Sequence, residues 1–186
     1  MRKDWEVLER HELLDCSPWF KVFREAVRLE DGQTVIPDFY QIDGPSYAMI
    51  FALTVDNKVA LVEQYKHGPR RAILELPAGF IEPGESPIDG AERELREETG
   101  LEAPEWHSLG TFVHDGNWGC SRCHGFLAIG ASQVAAPHSG DLQQQTIHYC
   151  DLDALRRFWL SEECMMVGTA AVIGLGLAHL AARSAG

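Results

Sequence analysis

The chain has 186 residues, of which 45% are hydrophobic and 24% charged, and its formal net charge is −12. That length and balance suit one well-buried domain and exclude a disordered or low-complexity chain. The acidity argues against a partner such as long nucleic acid, whose phosphates are held mainly by Lys and Arg; a small anionic ligand remains compatible, because bound cations reverse the local field.

Between Trp5 and about Gln41, short apolar runs alternate with turns. Trp19–Phe23, Ala26–Leu29 and Thr34–Ile36 read as strands, with Asp31-Gly32 as a hairpin turn. A second set follows in Tyr47–Val55 and Val59–Tyr65, joined across Asp56-Asn57. Ile73–Leu76 is a further short strand that delivers the chain to Pro77-Ala78-Gly79. A helix comes next: Ser86 can cap it, Pro87 takes the first helical position, Asp89 puts an acid in the first turn, and Gly100 supplies the stop. Strands are expected near Trp106–Val113, His124–Ile129 and Thr146–Cys150. Helices are expected from Asp153 to about Trp159 and from Val167 to Ala182. The order predicts an α/β fold, a mixed sheet between helices in an α/β/α sandwich. Residues 1–45 read as a small N-terminal β subdomain and 46–186 as the main domain.

No basic start followed by an apolar run marks a secretory signal. The longest apolar stretch, Met165 to Ala182, contains several glycines and His179 and sits near the lower limit of the ~17–25 residues that span a bilayer, so a buried helix, with no membrane, is the expectation. Five cysteines, an odd number, fit reduced thiols in a cytoplasmic protein. Cys120-Ser-Arg-Cys123-His124 matches the C-x-x-C-H attachment site of c-type haem. It runs straight into the apolar segment Phe126–Ile129, and no second cysteine pair with finger-like spacing accompanies it, so structural cysteines are the expectation over haem or zinc.

The chemistry concentrates in the helix after Ser86. Ile88, Ala91 and Leu95 recur at helical spacing as a buried stripe, while Glu94, Glu97 and Glu98 lie three and four residues apart on another face. Three carboxylates on one patch repel one another and are costly to desolvate, which a bound cation relieves. Carboxylate oxygens suit hard ions such as Mg2+ or Mn2+, often shared with substrate phosphates. The plain alternative is an ordinary solvated helix with Arg93–Glu97 spacing. The preceding loop weighs against it, since Ala78-Gly79 and Pro83-Gly84 bend the chain and Glu85 stands where it can pair with Arg93.

Residues 79–101 fit G-x5-E-x7-R-E-(apolar)-x-E-E-x-G-(apolar) at every specified position, which is the Nudix box, and the chain resembles the Nudix hydrolases. Gln64-Tyr65-Lys66 followed by Glu75-Leu-Pro-Ala-Gly79 is similar to the ADP-ribose and nucleoside-diphosphate-sugar pyrophosphatase branch. The resemblance implies metal-dependent hydrolysis of the diphosphate bridge in a nucleotide such as ADP-ribose or a nucleotide sugar, yielding a nucleoside monophosphate and a sugar phosphate. It implies that Glu94, Glu97, Glu98 and the carbonyl of Ala78 hold Mg2+ or Mn2+, that Glu85 and Arg93 brace the loop, and that Lys66 touches a substrate phosphate. It also implies a homodimer through the N-terminal strands. Lys66 stands in place of the usual arginine and loses its two-pronged grip; a solvated strand end is the alternative.

Two departures from the branch stand out. The proline characteristic of ADP-ribose pyrophosphatases, about fifteen residues past the box, is replaced by Asn117 or Trp118; Asn117 suits a hydrogen bond to a sugar and Trp118 a stacked base. The loop before the last strand reads Ser139-Gly-Asp-Leu-Gln-Gln-Gln-Thr146, with glutamines where many branch members carry a glutamate. Glutamine is no general base, so Asp141 is the nearest candidate, although aspartate is equally a turn residue. A Nudix-fold nucleotide-binding module with little turnover is therefore the alternative function, and a bare interaction protein a more distant one.

Overall fold

The computed structural model describes residues 4–138, 145–164 and 166–184. They divide into two compact units, residues 1–46 with 113–122, and 47–112 with 123–186.

The first unit is an antiparallel sheet of β1 (Glu6–Cys16), β2 (Phe20–Arg28) and β3 (Val35–Asp43). Asp31 builds the β2–β3 turn by accepting the N–H groups of Gln33 and Thr34, each at 2.8 Å, and Gly32 takes φ +72° beside it. The runs Trp19–Phe23 and Ala26–Leu29, expected as separate strands, are one strand here. A register shift between Glu25 and Val27 interrupts the alternation that would have shown them as continuous. Strand β1 was not foreseen. Ten of its eleven residues are exposed, so no buried face imposes a period-two pattern on Glu-Val-Leu-Glu-Arg-His-Glu.

The second unit is built on β4 (Tyr47–Thr54), which runs parallel to β10 (Gly119–Gln133) from Cys123↔Tyr47 to Ala131↔Thr54, and antiparallel to β5 (Val59–Lys66). Strand β5 also pairs antiparallel with β6 (Arg71–Glu75) and with β11 (Thr146–Cys150), so the sheet is mixed. Short β7 (Ala78–Phe80) pairs with β4, and β8 (Leu101–Glu102) with β10. Strand β9 (Glu105–Asp115), like β10, continues into the first unit. The helices are α1 (Pro87–Thr99), α2 (Leu152–Trp159) and α3 (Val167–Ser184).

Strand β4 shows how the layers form. Ala48, Ile50 and Ala52 share a cluster with Ala91 and Leu95 of α1, while Met49, Phe51 and Leu53 share one with Leu155 of α2 and Val172, Ile173 and Leu177 of α3. Successive strand side chains point to opposite faces, so one strand carries both cores. Small side chains on the α1 side let that helix lie close. On the other face, a Cβ at Gly176 of α3 would fall 2.5 Å from the ring of Phe51, so glycine is what admits the ring. Helix α3 is long and apolar enough to cross a bilayer, and here it presents Thr169, Val172, Ile173, Gly176 and Leu177 to the core. Cys123 is buried and the other four cysteines are partly buried; all five are free thiols.

Candidate active site

Strand β7 hands the chain to a tight turn and then to α1. Glu85 closes that turn: its backbone N–H donates to the Glu82 carbonyl at 3.0 Å, and its Oε2 accepts the Glu82 N–H at 2.9 Å. Gly84 has φ +88°, open to glycine and strained for other residues. Ser86 is the N-cap, accepting the Asp89 N–H, Pro87 follows, and Gly100 closes the helix in the left-handed region with φ +72°.

Arg93 organises the carboxylates. Its Nε and Nη2 each donate at 3.0 Å to one oxygen of Glu85, and Nη2 also donates to the Phe80 carbonyl at 2.8 Å. Its Nη1 donates to Glu94 Oε1 at 2.8 Å and to Glu97 Oε2 at 3.0 Å. These partners, Glu85 above all, hold the guanidinium charge firmly, and Arg93 with the Glu82 N–H draws Glu85 below the usual carboxylate range. Glu94 packs over the backbone of Gly79, where a Cβ would meet its carboxylate at 2.1–2.3 Å.

Glu98 lies elsewhere on the helix. It is 4% exposed, in the same stripe as Ala91 and Leu95, and not on an open acidic face. Its Oε2 accepts the Ala78 N–H at 2.9 Å and its Oε1 accepts from Gln145 Nε2 at 3.1 Å. Burial pushes its pKa up to about 8; those two donors pull it down, and the charges of Glu94 and Glu75 add to the rise.

The expected convergence of three carboxylates therefore takes a different form. Among the described residues, no three His, Cys, Asp or Glu side chains are gathered around a common point as ion ligands. Arg93 stands between Glu94 and Glu97, and Glu97 keeps 43% side-chain exposure. The donor chemistry nonetheless fits a hard divalent ion: every candidate ligand is an oxygen, and Glu98 is a buried carboxyl whose ionisation is opposed by burial and by neighbouring negative charge, which a cation would offset.

The other expected residues fall as follows. Lys66, at the end of β5, has its Nζ 2.7 Å from Glu75 Oε1, a carboxylate only 5% exposed. Asn117 and Trp118 belong to the first unit, on the β9–β10 turn, where Asp115 Oδ1 accepts both of their N–H groups at 2.7 Å. Asp141, with Gln143, lies outside the described residues. The residues not foreseen are Glu75, Gln64 and Gln145. Gln64 Nε2 donates to Glu75 Oε1 at 2.8 Å, and Gln145 Nε2 reaches Gln64 Oε1 at 3.3 Å. Glu75 and Gln64 sit inside the motifs that carried the branch resemblance, yet their mutual contact depends on pairing of β5 with β6. Beside α1 a groove of about 660 Å3 is lined by Arg93, Arg96, Glu97, Glu102, Trp106 and His138.

A profile of the NUDIX domain matches residues 45–167. The chain belongs to the NUDIX domain family. The Nudix match takes in the sheet strands β4–β11 and helices α1 and α2, so the helix just described and its supporting strands all fall within it. The chain is 30% identical over 179 residues to an ADP-ribose pyrophosphatase of Mycobacterium tuberculosis, covering 95% of this chain and 84% of that one. It is 36% identical over 107 residues to a methanol dehydrogenase activator of Bacillus methanolicus, and spans only 57% of that relative's length. A crystal structure of an ADP compounds hydrolase superposes with a TM-score of 0.83 over 98% of this chain and 97% of that one, at 18% identity, which establishes the shared fold.

Proposed function

We propose that the protein is a Nudix hydrolase that cleaves the diphosphate bridge of ADP-ribose or a related nucleoside diphosphate sugar, releasing a nucleoside monophosphate and a sugar phosphate. The observation that carries this reading is Glu98, a buried carboxyl held by the Ala78 N–H and by Gln145 on the same helix as the Arg93-bound Glu94 and Glu97. Likeness to an ADP-ribose pyrophosphatase over nearly the whole chain supports the substrate class.

Glu94, Glu97, Glu98 and the Ala78 carbonyl would hold Mg2+ or Mn2+. The chemistry supplied by such an ion is positive charge set against the phosphate oxygens as the bridge breaks. The protein's own part is to keep these groups in place. Glu85 and Arg93 tie the turn after β7 to α1, and Arg93 orients Glu94 and Glu97 by donating to each of them. Gly79 lets the Glu94 carboxylate lie against the backbone. Lys66 is the proposed phosphate contact, with Glu75 as its resting partner.

The test is incubation with ADP-ribose and a panel of nucleotide sugars in Mg2+ or Mn2+, with products resolved by anion-exchange chromatography. Equimolar AMP and ribose phosphate from ADP-ribose, abolished by EDTA, is the expected result. Tight nucleotide binding without product would instead favour a regulatory module. We also propose a cytoplasmic homodimer formed through the N-terminal β unit, supported by exposed Trp5, Leu13, Leu14, Trp19 and Phe20.

A further inference from the structure

A chain of polar side chains leads from Lys66 to Glu98. Lys66 Nζ and Gln64 Nε2 both bind Glu75 Oε1, at 2.7 and 2.8 Å. Gln145 Nε2 then bridges Gln64 Oε1 at 3.3 Å and Glu98 Oε1 at 3.1 Å. Its two acidic members, Glu75 and Glu98, are each 4% exposed.

The direction of this chain is dictated from one end. A carboxylate paired with an ammonium group only accepts hydrogen bonds, so Gln64 must turn its NH2 toward Glu75. That leaves the Gln64 carbonyl toward Gln145, which must in turn present its own NH2. The same NH2 is what meets Glu98. Flipping either amide would set oxygen against oxygen in a part-buried place.

We propose that Glu75 and Gln64 are positioning residues for Glu98, keeping an N–H of Gln145 on Glu98 Oε1 and so holding the carboxyl in a single orientation with its Oε2 on Ala78. Lys66 compensates the buried charge at the start of the relay. This role rests on the hydrolytic reading above insofar as it concerns turnover; the orientation of the amides does not.

A double-mutant cycle tests it, with Gln64→Met, Gln145→Met and the two combined, measuring kcat and KM for ADP-ribose. Gln64→Met should lower kcat about 10-fold, as loss of an outer partner commonly does, with KM nearly unchanged because the Lys66–Glu75 pair stays in place. In the combined variant kcat should fall no further than in Gln145→Met alone, since the relay is already cut. Additive losses, or a loss confined to KM, would overturn the proposal. A second readout does not need turnover: the side-chain amide resonances of Gln145, assigned by their disappearance in Gln145→Met, should move in Glu75→Leu, which removes the acceptor, although that site is two hydrogen bonds away. Resonances that stay in place would overturn it as well. Should the wild-type protein cleave no diphosphate, the hydrolytic reading fails and the resonances decide the relay alone. Gln64→Met leaves the Lys66–Glu75 pair in place, and its effect on the Gln145 resonances decides where Glu75→Leu does not fold.

Discussion

Glu98 is where residue-level physics makes the sharpest statement. Its pKa is raised in the fold from an ordinary 4.5 to about 8, so the protonated acid is the form that the metal-free fold favours. The stabilisation is fully present below the unfolded value and is lost as pH rises through the folded one, each pH step of one between those values removing about 1.4 kcal/mol. Thermal unfolding in EDTA should therefore show Tm falling between about pH 5 and pH 8. Glu98→Gln should flatten that slope and, in the presence of metal, cut turnover by at least ~100-fold. A pH-independent Tm in the wild type would contradict the burial described. Arg93→Ala should destabilise by roughly 1–3 kcal/mol in urea titrations, because Glu85, Glu94 and Glu97 lose the guanidinium they share. Much of this residue set was legible from the box spacing alone. The Glu75–Gln64–Gln145 relay was not: residues 64, 75, 98 and 145 meet only once three strands and a helix have packed, and no local pattern encodes that meeting.

At the scale of elements, α1 was readable to the residue because caps are local chemistry. Ser86, Pro87 and Gly100 act through the backbone within a turn of their own positions. Ser86→Ala should cost about 1 kcal/mol, seen as a fall of a few degrees in Tm, with kcat kept once the protein is folded. Gly79→Ala acts differently. The added Cβ would fall inside the Glu94 carboxylate, so the side chain must move, and kcat should drop about 100-fold with only a modest change in Tm. Wild-type kcat in that variant would show that the placement of Glu94 is unimportant. Strand β1 was illegible for the opposite reason to α1: a strand exposed on both faces carries no burial signal, and its partner β2 is broken in pattern by a bulge.

For the whole molecule, the apolar run of β4 was apparent, but the division of its two faces between α1 and the α2–α3 pair was not. Sedimentation equilibrium should give twice the chain mass of 20.7 kDa if the N-terminal unit pairs with a second copy, and a single-chain mass would remove that proposal. By itself the sequence determined the helix, its caps, the spacing of its carboxylates and the family, since all of these depend on residues within about two dozen positions of one another. Tertiary structure alone decided that Glu98 points inward, that Arg93 separates Glu94 from Glu97, and that Lys66 answers to Glu75. Burial and pairing of charge belong to distances through space, and only the packing of β5, β6, β7 and α1 sets those distances.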